Sequence, residues 1–117
     1  MTGLQPLDIL FASPQLGRLC HDDKLAKRTL GPDSARKLRA RLDDLKAAAN
    51  MAVCKTLPGR FHPLNRDREG EYSMSLAGGQ RLVFEPVAAP TPTLVDGSID
   101  LGKIVTIRVV YAGDYHD

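Results

Sequence analysis

The stretch Tyr72-Ser-Met-Ser-Leu-Ala-Gly-Gly-Gln-Arg-Leu-Val-Phe84 sets the architecture of the chain. Tyr72, Met74 and Leu76 alternate with Ser73 and Ser75, the period of two expected of a strand with one buried face. Ala77-Gly78-Gly79-Gln80 then supplies residues that tolerate positive φ. Arg81 to Val87 forms the next run, so the two segments predict an antiparallel hairpin. Upstream, Arg60 to Leu64 reads as a shorter strand. Downstream, Pro86, Pro90 and Pro92 end the second arm, and the stretch to Gly102 reads as a surface excursion, long for so small a domain. Lys103 to Tyr111 is apolar apart from Thr106 and Arg108, which predicts a strand covered on both faces.

Ahead of this sheet the period is helical. Ser13-Pro14 offers an N-cap and a first-turn proline, and Leu16, Leu19 and Cys20 recur at helical spacing, so one short helix is expected before Gly31-Pro32. From Pro32 onward Ala35, Leu38, Leu42, Leu45 and Ala49 repeat at intervals of three and four with Arg and Lys between them, the clearest amphipathic helix in the chain. Asn50 is placed as its end cap, and Ala52 to Thr56 as one further turn before Pro58-Gly59. Leu7 to Phe11 is an additional strand candidate. Helices grouped ahead of strands predict an α+β domain, with N-terminal helices packed on one face of an antiparallel sheet. Strands and helices do not alternate, and neither GxGxxG nor a P-loop is present, which argues against a doubly wound nucleotide-binding fold.

The chain has 117 residues, so a single domain over 1–117 is expected. With 16 Lys+Arg against 14 Asp+Glu the net charge is only +2, so any affinity for a polyanion must come from how the charges are distributed. They are sorted. The basic residues concentrate from Arg18 to Lys46 and again from Lys55 to Arg81, whereas the only charges between Pro86 and Gly102 are Asp96 and Asp100. Cys20 and Cys54 are too few for a disulfide framework and read as reduced thiols. Cys20 with His21 lacks a third or fourth ligand at a recognisable spacing, so neither a metal nor a cofactor is expected. No targeting segment and no membrane span is legible, and the expected location is the cytoplasm.

Three groups of residues have chemistry beyond packing. His62, in Leu57-Pro-Gly-Arg-Phe-His-Pro-Leu64, is of a type that gives or takes a proton near neutral pH, or is an edge histidine that only hydrogen-bonds. Arg66, Arg68 and Arg81 carry the planar fork that suits phosphate oxygens, or are solvated surface charges. Asp114, Tyr115 and His116 put an acid, a phenol and an imidazole at the end of the last strand, or are a polar tail. Arg36, Arg39 and Lys46 on the long helix are either contacts for RNA phosphates or the solvated face of an ordinary amphipathic helix.

Taken together, L-P-G-x-x-H-P-L, then D-R-x-G-x-Y-S, then Q-R-L-V-F, then a strand finishing in D-Y-H, resemble the HigB-type toxins of bacterial toxin–antitoxin modules, within the RelE/ParE superfamily. The likeness runs from Phe11 to His116. It implies a ribosome-dependent mRNA endonuclease, neutralised by a small helix-turn-helix antitoxin and partnered by ribosomal RNA and mRNA. Cleaving RNA without a metal uses the neighbouring 2′-OH as nucleophile, which needs a base, cations for the phosphorane and an acid for the leaving 5′-oxygen. By matching position, the resemblance implies His62 and His116 as acid–base groups, Arg81 as phosphate-charge stabiliser, and Tyr115 as the group that stacks on or orients the nucleotide. Asp114 orients a neighbouring ring or takes part in proton transfer, and Arg66, Arg68, Arg36, Arg39 and Lys46 contact RNA.

One departure matters. Many HigB-type sequences carry Lys three residues after the motif histidine, where this chain has Asn65, which neither takes up a proton nor carries charge. Arg66, one residue on, replaces the charge if its loop turns inward, but it stays protonated. Two other readings stand beside the nuclease: a non-enzymatic ParE-like toxin binding a target such as DNA gyrase, and a degenerate antitoxin-binding member.

Overall fold

Ser13 caps the first helix, its side chain accepting from the Leu16 N–H at 3.1 Å with Pro14 in the first turn. In the computed structural model, which describes residues 6–65 and 68–114, this helix is α1 (Pro14–His21). It is followed at once by a second, α2 (Asp23–Leu30), and the expectation of one short helix is corrected here. Asp22 is the reason. Its backbone is extended (φ −113°, ψ 104°), and its carboxylate accepts from the N–H groups of Lys24 and Leu25, so it ends one helix and caps the next. Gly31 at φ 93° then turns the chain into α3 (Pro32–Ala47), the long amphipathic helix. Ala48 ends α3, and Asn50 instead starts a 3₁₀ turn over Met51–Thr56, accepting from the Ala52 N–H.

Five strands form one sheet: β1 (Asp8–Phe11), β2 (His62–Pro63), β3 (Tyr72–Ser75), β4 (Gln80–Pro86) and β5 (Thr106–Asp114), in the spatial order β1-β5-β4-β3-β2. β1 runs parallel to β5, and the other neighbours are antiparallel. The hairpin predicted around Gly78-Gly79 is present, with both glycines at positive φ. The strand expected over Arg60–Leu64 shortens to two residues. Leu38, Leu42 and Leu45 of α3 share one core with Met74, Leu82, Phe84, Ile107 and Val109 of the sheet, each burial stabilising by about 1.5–3 kcal/mol. The helices thus cover one sheet face, as the sequence pattern implied. Among the described residues no helix is long and apolar enough to cross a membrane.

β5 departs from the expectation of a strand buried on both faces. Ile107 and Val109 are fully buried while Thr106, Arg108 and Val110 to Ala112 are only half-buried. Arg108 instead pairs with Glu85 across the ladder at 2.7 Å. The cause lies in the register. Phe84 pairs with Val109 but Val83 with Tyr111, so Val110 is an extra residue, a β-bulge. Without it, period two would put Tyr111 on the same face as Ile107 and Val109, in the core. With it, Tyr111 joins Val83, Ser73 and His62 in one row across the face turned away from the helices.

Candidate functional site

The chain delivers His62 to that face by opposing it to Phe61. Phe61 stacks on Tyr72, ring centroids 5.2 Å apart and planes 3° from parallel, and lies 6.1 Å from Phe84, so the aromatic side of this short segment is anchored at the core. The next side chain points the other way. His62 Nδ1 lies 2.8 Å from the carbonyl oxygen of Arg60, and Nε2 lies 3.4 Å from Ser73 Oγ. A carbonyl only accepts, so Nδ1 carries the proton in the neutral ring and Nε2 is left as the basic nitrogen, opposite a hydroxyl that donates to it. The imidazole is exposed.

Arg81 sits one row along. It pairs with Ser75 on β3 and Gly113 on β5, which places its side chain on the same face as His62. His62, Arg81, Arg60, Lys37, Ser75 and Gln80 border one cleft of about 510 Å³. Among the described residues lining it none is a carboxylate. Beyond Ser73 the β3 edge has no strand partner, because β2 is so short, and the loop closes it instead: Ser75 N–H donates to the Gly59 carbonyl at 2.7 Å. Arg41 of α3, buried, donates from Nε to the Ser75 carbonyl at 3.0 Å. The loop carrying Arg60 and His62 is thereby held between helix and sheet.

Asp114 is not brought to this cleft. It pairs with Gln80 and lines a separate hollow with Ser34 and Ala77, where the Ser34 hydroxyl bonds both backbone groups of Ala77. Its backbone carbonyl accepts from the hydroxyl of Tyr111. The guanidinium of Arg68 lies over the Tyr111 ring, 5.6 Å from the centroid, and is ion-paired with Glu71 at 2.8 Å. Arg36 and Arg39 each face a carboxylate, Asp33 at 2.8 Å and Asp23 at 3.1 Å, and Lys46 is exposed in the last turn of α3. Arg39 and Lys46 are about half a turn round the helix from Lys37, so these cations do not make one face with the cleft. Arg66, Tyr115 and His116 lie outside the described residues. Burial pushes the Tyr72 phenol up, so it stays neutral, and it does not border the cleft.

The backbone superimposes on a YoeB/ParE toxin from Agrobacterium tumefaciens with a TM-score of 0.54, over 94% of this chain and 100% of that one, at 13% sequence identity. The fold is RelE/ParE-like. No protein-family profile and no curated protein matches the sequence.

In this RelE/ParE-like fold the site residues come from four places: α3, the Gly59–His62 loop, β3 and β4. Sequence reasoning singled out His62 and Arg81, which the fold brings together, and passed over Lys37, Arg60 and Ser73. Ser73 was read as the solvent side of an alternating strand, yet it is fully buried beneath His62. Tyr111 was read as the end of a buried strand, and only the bulge turns it outward. Arg60 had a local signal, since it lies between a turn glycine and the motif histidine.

Proposed function

We propose that this chain is the toxin of a bacterial toxin–antitoxin module, of HigB type, and that it cleaves mRNA on the ribosome in the cytoplasm. The observation that carries this reading is the pairing of His62, whose Nδ1 proton is held by the Arg60 carbonyl so that Nε2, beside Ser73 Oγ, is the basic nitrogen, with Arg81 on one cationic cleft that has no carboxylate among its described lining residues. Nε2 of His62 takes the proton of a ribose 2′-OH. The freed oxygen attacks the adjacent phosphorus while the bond to the 5′-oxygen breaks, and Arg81 holds the charge of the phosphorane. His116 gives the leaving oxygen its proton and Tyr115 orients the nucleotide, roles that rest on the sequence resemblance. The products are a 2′,3′-cyclic phosphate and a 5′-hydroxyl, and Asn65 takes no part in proton transfer.

Asp114 acts through its backbone carbonyl, which accepts from the Tyr111 hydroxyl at the end of β5. Arg36, Arg39, Lys46 and Arg68, together with Arg66 on the strength of the sequence resemblance, contribute screened attraction to ribosomal RNA. A cognate helix-turn-helix antitoxin covers the protein between episodes of activity. Mapping of mRNA 5′ ends in a translating extract tests the reading. New, translation-dependent ends are expected with the native chain and a loss of about 10²–10⁴-fold with His62→Ala, about 10²–10³-fold with Arg81→Ala. Growth arrest without new ends would move the reading to target binding of the ParE kind, tested by gyrase supercoiling.

A further inference from the structure

Arg36, Arg39, Arg68 and Arg108 each face a carboxylate at ion-pair distance. Most other cations of the described chain make no such pair, but three of these, Lys37, Arg60 and Arg81, converge on the same cleft. Like charges that converge without a counterion repel one another, and an anion entering the cleft relieves that repulsion.

Arg60 adds an independent observation. It holds φ 56°, in the left-handed region that a residue with a Cβ occupies at a cost, directly after Gly59, which already has positive φ. The bend alone is better served by a second glycine, so the guanidinium is retained for what it reaches. The loop is also held, through Gly59 to Ser75 and through Arg41 to the same residue, so Arg60 starts from a fixed backbone. Lys37 stands across the cleft on α3, one helical turn before Arg41. At about 510 Å³ the cleft is of the size that takes a drug-sized ligand, more than the single phosphate facing His62 and Arg81 would fill.

We infer that Lys37 and Arg60 form a second phosphate site, on the helix side of the cleft, that holds the phosphodiester next to the one presented to His62 and Arg81. The inference rests on the nuclease reading for which phosphate is cut, and on the cleft alone for the binding. An ammonium and a guanidinium on phosphate oxygens read no bases, so the ligand class is a single-stranded nucleic-acid backbone irrespective of sequence. Gripping the neighbouring phosphate sets the register of the strand, which brings one 2′-OH to Nε2 of His62.

Binding of a 2′-O-methyl trinucleotide, whose blocked hydroxyls prevent cleavage, to the full chain at several salt concentrations tests this. Lys37→Ala and Arg60→Gly are each expected to weaken binding about fivefold, and the double variant to flatten the dependence of log K on log salt by about 0.7. Arg60→Gly keeps the backbone bend, and thermal melting that is not lowered shows that the loss is not one of folding. Lys24→Ala and Lys103→Ala should change affinity less than about twofold, since both are exposed and neither borders the cleft. No saturable binding by the native chain, unchanged binding by the double variant, or equal losses in the Lys24 and Lys103 variants would overturn the site. Cleavage in the translating extract is read separately. A native chain that binds the probe as expected but cuts nothing removes the nuclease reading and leaves the phosphate site standing. A chain that cuts but binds equally without Lys37 and Arg60 does the reverse.

Discussion

Arg41 reaches from the long helix to the sheet edge, its Nε donating to the carbonyl oxygen of Ser75 at 3.0 Å, and the space it uses exists because residue 59 is glycine. A Cβ on Gly59 would stand 2.7 Å from that Nε and 3.1 Å from Cδ, and φ at this position is 117°. Gly59→Ala is therefore expected to cost about 1–3 kcal/mol in urea denaturation. Arg41→Ala leaves the Ser75 carbonyl without its donor and removes the packed stem, for about 1–3 kcal/mol. The two losses are coupled. In the Arg41→Ala background the clash is gone and only the backbone strain remains, so the double variant should be less destabilised than the sum. Additive losses would show that the two residues do not share this contact.

Tyr111 stands between the guanidinium of Arg68 and the carbonyl of Asp114, and on the proposed nuclease reading it should affect catalysis more than stability. Tyr111→Phe keeps the ring and loses one partly exposed hydrogen bond. A stability change of about 0.5–1.5 kcal/mol is expected, measured by urea denaturation. The rate of mRNA cleavage is expected to fall about tenfold if the hydroxyl fixes the exit of β5, since small displacements of reacting groups are costly. Arg68→Lys, which keeps the charge and loses the guanidinium over the Tyr111 ring, should weaken the same step. A Tyr111→Phe protein as active as the native one ends this positioning role.

Gln80 Oε1 is buried without a hydrogen-bond partner among the described residues. Such a group carries a desolvation cost of about 1–3 kcal/mol. Gln80→Met, of similar length and without the acceptor, is expected to raise stability by about 1 kcal/mol, read as a higher urea midpoint at unchanged m-value. A lower midpoint would show that the amide finds a partner in solution.

Cys20 and Cys54 are buried thiols, each pushed up to about 11 by desolvation. Neither is expected to react with iodoacetamide at pH 8 in the folded protein, while both react in urea. The sign of the pH effect follows. Unfolded thiols titrate near their ordinary value of 9.0, so between there and about 11 the unfolded chain loses protons that the folded chain keeps. Stability is full below this window and falls as pH rises through it. Replacing both by Ala should flatten the alkaline limb of a plot of unfolding midpoint against pH.

Local rules read from the sequence hold where one residue type has one use. Ser13-Pro14 capped a helix, Gly78-Gly79 made a hairpin turn, and the spacing from Ala35 to Leu45 faced the core. They failed where a side chain had two uses. Asp22 is a permissible helix interior residue and a strong cap, and its neighbours' free N–H groups decided for the cap. Asn50 was equally suited to end one helix or to start the next turn. His62 and Arg81 were legible as candidates because motif and residue type coincide, while Lys37 was one of many helix cations until the fold set it across from Arg60.

Helix and strand periods, the order of elements and the placement of His62 and Arg81 in exposed turns and strand ends were determined by the sequence itself, because hydrophobic periodicity and turn chemistry act between near neighbours. Which cations are neutralised, how the β3 edge is closed, and which face Tyr111 takes were decided only by the tertiary structure. The bulge at Val110 is the plainest case. It arises from the register between β4 and β5, a relation between residues far apart in the chain, and one inserted residue moves a side chain from the core face of the sheet to the opposite one.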